Sequence, residues 1–275
     1  ETSLNGCINF LIDKGLNGHE INTLLNREGV SLKENESIFL KLADPVNVVI
    51  NQNNSFPLIG IDSRSTMQKS INVYGCYEPL MVKKICKNVG EKDIVYDIGA
   101  HIGYYSSIFN KVTKCKKVVS LEPDFYASNL IRRNTNERSI VVNKFIGSRV
   151  NHNTTTLNDL VSSIKLKPTV IKMDIEGFEV EAFDGGWEII KELRPQIFLE
   201  FHPKFINKKN PNGLKCLVEE LFKLYNLEYT RNHWGHIKGE ETANSEWEKA
   251  TPDIIFKIVD EIILNDQKPN AFAIH

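Results

Sequence analysis

Short apolar runs alternate with helix-spaced stretches from about residue 90 onward, and each run ends on glycine, proline or an acid. The pattern predicts strands over 94–98, 118–121, 140–146, 169–175 and 196–201. Runs that are apolar throughout, rather than every second residue, are what a sheet buried on both faces requires. Helices are predicted over 104–111, 125–134 and 213–225, the last from Leu214, Leu217, Leu221 and Leu224 on one face. Tyr77-Glu78-Pro79 opens another helix, with proline in its first turn. Residues 154–164 lead into a helix, 227–230 read as a sixth strand, 254–264 as a buried apolar segment, and 271–274 as a final edge or antiparallel strand. Strands alternating with helices specify an α/β sheet.

The first 70 residues follow another pattern. Leu4, Ile8, Leu11, Ile21, Leu24 and Leu25 recur at helical spacing, interrupted by Gly15 and Gly18. Between 36 and 62, short apolar runs flank a polar turn at Asn51 to Ser55, which reads as hairpins. The division expected is an extension over 1–70 and a main domain over 71–275.

The chemistry concentrates at the ends of the predicted strands. Ile94 to Ile98 runs into Gly99-Ala100-His101-Ile102-Gly103, with Asp97 near the strand's carboxyl end. Two glycines four apart allow a tight turn and close approach of a ligand. The dinucleotide pattern G-x-G-x-x-G fails here, because His101 and Tyr104 stand where glycines are needed. This argues against a nicotinamide-dependent oxidoreductase. What remains, Asp-x-Gly-Ala-x-x-Gly, resembles motif I of the S-adenosylmethionine-dependent methyltransferases. Glu122, 19 residues past Gly103, ends the next strand. A carboxylate there can accept from both hydroxyls of a ribose. The alternative is a cap for the helix that starts near Phe125.

The fourth strand carries Lys172 and continues through Asp174 and Glu176, the fifth ends on Glu200, Phe201 and His202. Two-residue alternation puts Lys172, Asp174 and Glu176 on one side if the chain stays extended. A lysine inside a central strand needs a carboxylate partner. Polar groups converging at strand ends mark a site. His233-Trp234-Gly235-His236 has the residue types of a metal or aromatic motif but lies in a polar stretch, and is read as loop.

Composition removes several classes. The chain of 275 residues has a net charge of −1, so no basic field points to nucleic acid. It has no run of about 18 apolar residues, so no membrane span is expected. Glu1 to Cys7 lack a basic n-region, so no signal peptide is expected, and the expected location is cytoplasmic. Five scattered cysteines without a C-x-x-C pair are expected to be free thiols.

Together these blocks resemble the FkbM-type methyltransferases. The matching pieces are Tyr77-Glu78-Pro79, Asp97 through Ser106, Leu121-Glu122-Pro123, Ile146-Gly147, Thr155 through Leu160, Lys172 through Glu179, and Leu193-Arg194-Pro195 with Leu199 through Pro203. His101 departs from the asparagine usual in the family. The resemblance implies a Rossmann-like class I fold: a seven-stranded, mostly parallel sheet, order 3-2-1-4-5-7-6, with helices on both faces and strand seven antiparallel. It implies S-adenosylmethionine as cofactor, bound by Glu78, Asp97, Gly99, Ala100, His101, Gly103, Glu122, Pro123 and Asp174. It implies methyl transfer to a hydroxyl oxygen of a sugar, glycolipid or secondary-metabolite acceptor, with Asp174, Glu176 and His202 as candidate bases. No metal is required. The alternative is a metal held by Asp174, Glu176 and Glu200. A non-catalytic domain that binds S-adenosylmethionine as sensor or scaffold is the competing reading.

Overall fold

The computed structural model describes residues 45–61, 65–231, 247–264 and 271–275. The helical pattern of residues 4–28, the first of the expected hairpin runs and the His233–His236 motif lie outside them. The chain divides into two compact units, one up to Tyr77 and one from Glu78.

In the first unit, β1 (Val46–Asn51) and β2 (Asn54–Leu58) form an antiparallel hairpin. Its turn is closed by Asn51, whose Oδ1 accepts from the Asn53 N–H at 2.9 Å, an Asx turn that needs no glycine. The helix Thr66–Tyr74 follows, capped by Ser65, whose hydroxyl accepts from the Gln68 N–H.

The second unit is built on one sheet. Its strands are β3 (Ile94–Ile98), β4 (Lys117–Leu121), β5 (Ser139–Val142), β8 (Val170–Met173), β9 (Gln196–Phe201), β10 (Glu228–Thr230), β11 (Glu248–Lys249) and β12 (Phe272–Ile274). The order is β5-β4-β3-β8-β9-β12-β10-β11. β5, β4, β3, β8 and β9 run parallel, and β12 is antiparallel to both its neighbours. Counted along the chain, that is the expected 3-2-1-4-5-7-6, with the two-residue β11 added outside β10. The last strand is therefore an interior antiparallel strand and not an edge.

Both faces are buried. Tyr96, Ile98, Val119, Leu121, Ile171, Met173, Ile197 and Leu199 join one core with Leu157, Leu160 and Val161 of the helix Leu157–Ile164 and with the helices Pro211–Leu224 and Pro252–Leu264. Val95, Val118, Val170 and Phe198, one residue out of phase, are equally buried on the other face. The helix Pro252–Leu264 buries only Ile255, Ile258, Val259 and Ile262, so the apolar segment is amphipathic. Among the described residues no helix is long and apolar enough to cross a membrane.

Two expected elements change shape. The run 140–146 is not one strand. β5 stops at Val142, and Phe145–Ile146 (β6) pairs with Thr154–Thr155 (β7) in a separate two-stranded sheet. The cause is Asn143, whose Nδ2 donates to the Glu122 and Pro123 carbonyls at 2.9 and 2.8 Å and turns the chain off the sheet. The helix after the glycine turn is α-helical only over Tyr104–Ser107, then winds as a π-helix over Ile108–Val112.

Candidate active site

The glycine turn sits at the carboxyl end of β3, between β4 and β8. Gly99 has φ +80°, and a Cβ there would lie 1.8 Å from the Asp174 carbonyl oxygen. Only glycine fits, because the left-handed backbone and the close approach both exclude a side chain. The Gly99 and Ala100 N–H groups both donate to the Leu121 carbonyl, at 3.0 and 3.1 Å. Gly103 (φ +87°) closes the turn with its N–H on the Ala100 carbonyl at 2.8 Å.

Glu122, following β4, locks this turn. Its Oε2 accepts from the His101 N–H at 2.8 Å and its Oε1 from the Asp124 N–H at 2.9 Å. The helix cap is Asp124, which accepts from the Ala127 N–H at 2.7 Å, so the capping alternative for Glu122 falls away. Burial raises the Glu122 pKa, against the pull of its two backbone N–H bonds. Each carboxylate oxygen retains a free lone-pair direction.

Asp97 is fully buried. Its Oδ2 accepts from the Ser106 hydroxyl at 2.6 Å, and Ser106 is joined to Ser120 at 2.7 Å. Its Oδ1 accepts no hydrogen bond. Burial raises the Asp97 pKa, with the Lys172 ammonium the chief opposing influence.

Lys172 lies beside Asp97 in register across β3 and β8. It is 2% exposed. Its Nζ is 3.3 Å from Asp174 Oδ2 and 4.5 Å above the Tyr105 ring. Burial disfavours the ammonium, but Asp174, Asp97, Glu78 and Glu200 outweigh it and raise the pKa. The expected lysine–carboxylate pair is present.

The ends of β8 and β9 bring a second group together. Asp174 is held next to β3 by its N–H on the Ile98 carbonyl at 3.0 Å, and its side chain is 30% exposed. Glu200 and His202 are buried. His202 Nδ1 is 2.7 Å from Glu179 Oε1, while its Nε2 is 3.8 Å from Asp174 Oδ1 and 3.7 Å from Glu200 Oε1. Burial and then the Asp174 carboxylate push Glu200 up to about 8. Burial works against the His202 imidazolium, yet the Glu179 bond and the carboxylates of Asp174 and Glu200 raise it to about 9. Asp174, Glu200 and His202 can each turn a ligand atom inward, all within 4.8 Å of one another.

The structure thus brings Asp97, Gly99, Ala100, His101, Gly103, Glu122 and Pro123 to the adjoining ends of β3 and β4, and Asp174 and His202 into the neighbouring cluster. Glu78 is buried with φ +50° and accepts from the Tyr105 hydroxyl. Glu176 does not join them. The strand ends at Met173, Glu176 takes φ +47° in the turn that Gly177 completes, and its side chain is exposed. The alternation that aligned it with Lys172 and Asp174 does not extend that far. For the same reason the metal-capable set contains His202 where Glu176 was expected. Sequence reasoning did not single out Glu179 as a partner of His202. The available signal was its place as the last acid of the Asp174-to-Glu179 block, since a buried histidine needs something to hold its second nitrogen.

Residues 127–227 match the family model of the methyltransferase FkbM domain. Among solved structures, a methyltransferase FkbM from Methylobacillus flagellatus KT is 26% identical, covering 52% of this chain and 40% of that one, with a TM-score of 0.42. The O-methyltransferase from Bacillus cereus in complex with SAH is 16% identical (60% and 73% covered, TM-score 0.40). TYW2 from M. jannaschii in complex with AdoMet is 12% identical (82% and 80% covered, TM-score 0.40). The match thus spans about two-fifths of the first of these proteins. No curated protein sequence matches the chain.

Proposed function

We propose, from the premise that the chain belongs to the FkbM methyltransferases through residues 127–227, that it moves the methyl group of S-adenosylmethionine to a hydroxyl oxygen of a sugar, glycolipid or secondary-metabolite acceptor. The observation that carries the reading is the contact between the two halves of the site. The Gly99 turn packs against the Asp174 backbone so closely that a Cβ has no room, so the glycine turn and the acid–histidine cluster lie side by side.

The residues present fit the cofactor. Asp97 offers a buried carboxylate oxygen that accepts no hydrogen bond, suited to an α-ammonium group. Glu122 offers acceptor capacity to a ribose diol while its two backbone bonds fix its orientation. Gly99, Ala100, His101 and Gly103 would offer backbone to the ligand, and Glu78 and Pro123 complete the set proposed to hold it. Bound S-adenosylmethionine supplies a methyl group already activated on a sulfonium.

The chain's own work is then alignment and proton removal. Asp174 is the most open member of its cluster and stands at a rigid strand end, so it is the proposed base for the acceptor hydroxyl. His202, held by Glu179, orients the acceptor oxygen. Glu176, exposed beside Asp174 in sequence, is left the lesser role of contacting the acceptor from the solvent side.

The test is transfer of a tritiated methyl group to extracted glycans and lipids. Label in an alkali-stable ether supports O-methylation of a hydroxyl. Label only in alkali-labile methyl esters or on nitrogen contradicts the acceptor class. Tight cofactor binding with no transfer to any fraction favours the sensor or scaffold reading.

A further inference from the structure

We propose that Asp174, Glu200 and His202 form a divalent-cation site, with Asp174 Oδ1, Glu200 Oε1 and His202 Nε2 as the protein ligands. The inference rests on the methyl-transfer reading for the cation's role but not for its binding.

The geometry around His202 carries it. Its Nδ1 is 2.7 Å from a fully buried carboxylate, Glu179. Nδ1 is therefore the donor, and in the neutral ring the lone pair is on Nε2. That nitrogen belongs to a side chain only 6% exposed. It faces Glu200 Oε1 at 3.7 Å and Asp174 Oδ1 at 3.8 Å. Both distances are too long for a hydrogen bond. They are right for two ligands of one cation. At metal–ligand bonds of about 2.1–2.2 Å, such separations correspond to an angle of roughly 120° at the metal. A histidine that ligates through one nitrogen and gives the other to a buried carboxylate is the common arrangement in metal centres.

The neighbouring charges agree. Lys172 Nζ is 3.3 Å from the other oxygen of Asp174, Oδ2. Glu78, Asp97, Asp174, Glu179 and Glu200 gather around Lys172 and His202. Four of these carboxylates are buried, and Glu200 is hydrogen-bonded to Asp174, which takes a proton that a bound cation would displace. The 30% exposure of Asp174 leaves an open side where a further ligand can enter, as three-ligand catalytic sites do. Two carboxylates with one imidazole suit a first-row divalent ion such as Mn²⁺. Its role in methyl transfer would be to lower the pKa of the acceptor hydroxyl.

The test is titration of the metal-stripped full chain with Mn²⁺, read as loss of the free-ion paramagnetic resonance signal. One ion per chain is expected. Asp174→Asn, Glu200→Gln and His202→Gln should each weaken binding at least tenfold. Glu179→Gln, which reaches the ion only through the ring, should weaken it about tenfold. The exposed Glu192→Gln should leave it unchanged. Circular dichroism and the thermal midpoint show which variants are folded, and the comparison is made on those. No Mn²⁺ bound at millimolar concentration, or equal binding by all variants, overturns the proposal. Methyl transfer that survives chelation, with no Mn²⁺ bound, ends this inference and leaves the methyl-transfer reading standing. Site-specific Mn²⁺ binding without any methylated acceptor upholds the cation site and ends that reading instead.

Discussion

Lys172→Met removes a charge and keeps the shape. The stem of Lys172 is packed at 2% exposure, and methionine fills nearly the same space, so the loss of packing is small. The electrostatic loss is not. At the 3.3 Å separation from Asp174 Oδ2, the attraction is about 5 kcal/mol at an effective dielectric constant of about 20. The two groups are also desolvated, and that penalty is recovered in part when the lysine goes. Breaking a buried pair from one side typically costs about 3–5 kcal/mol, because the partner charge stays behind. Here the charge left behind includes the fully buried Asp97, whose main opposing cation is Lys172. We expect a loss of about 3–5 kcal/mol in urea unfolding at neutral pH. The double variant Lys172→Met with Asp174→Asn should recover part of it, since the uncompensated charge is then smaller. A single variant as stable as the parent, with no coupling in the cycle, would refute the reasoning and mean that the ammonium neutralises nothing.

Three further outcomes follow from the same geometry. Gly99→Ala forces a methyl group to within 1.8 Å of the Asp174 carbonyl at φ +80°. It should lower stability by more than the roughly 1–2 kcal/mol of left-handed strain alone, read as a fall in thermal midpoint, and a neutral result would mean the turn is not held this tightly. Asp174→Asn should reduce turnover by roughly 10²-fold or more while S-adenosylhomocysteine affinity stays within a few-fold, and parent-like turnover removes Asp174 as the base. Asn143→Ala releases both carbonyls of the Glu122-Pro123 turn. About 0.5–1.5 kcal/mol per lost bond is expected in unfolding, and protection of the turn amides from hydrogen exchange should fall with it.

The parts legible in the sequence were those with a strong local cause. β3, β4 and β9 are mostly apolar runs with a hard stop, and the helix Phe125–Asn134 begins at an acid cap. Asp97, Gly99, Gly103 and Glu122 were legible because a tight turn and a carboxylate at the next strand end are fixed by backbone spacing. What was not legible depended on other parts of the chain. Nothing in Ile140 to Ile146 says that Asn143 will be taken by carbonyls of another turn. The side of Glu176 was extrapolated from strand alternation past the point where Gly177, packed against Phe205, bends the chain. Glu179 meets His202 across 23 positions, a contact that only the folded chain creates. Tyr105 and Ser106 read as ordinary helix residues, yet one covers Lys172 and the other holds Asp97.

In the proposed reading, the turn after β3 holds S-adenosylmethionine together with Glu122 at the end of β4. Calorimetry with S-adenosylhomocysteine tests it most directly, on the parent and on Glu122→Ala. One site per chain is expected in the parent. The variant should bind more weakly by about 1.5–3 kcal/mol, the usual worth of hydrogen bonds to a charged group, with the same stoichiometry. A folded parent that binds no S-adenosylhomocysteine, or a variant with unchanged affinity, would contradict the claim.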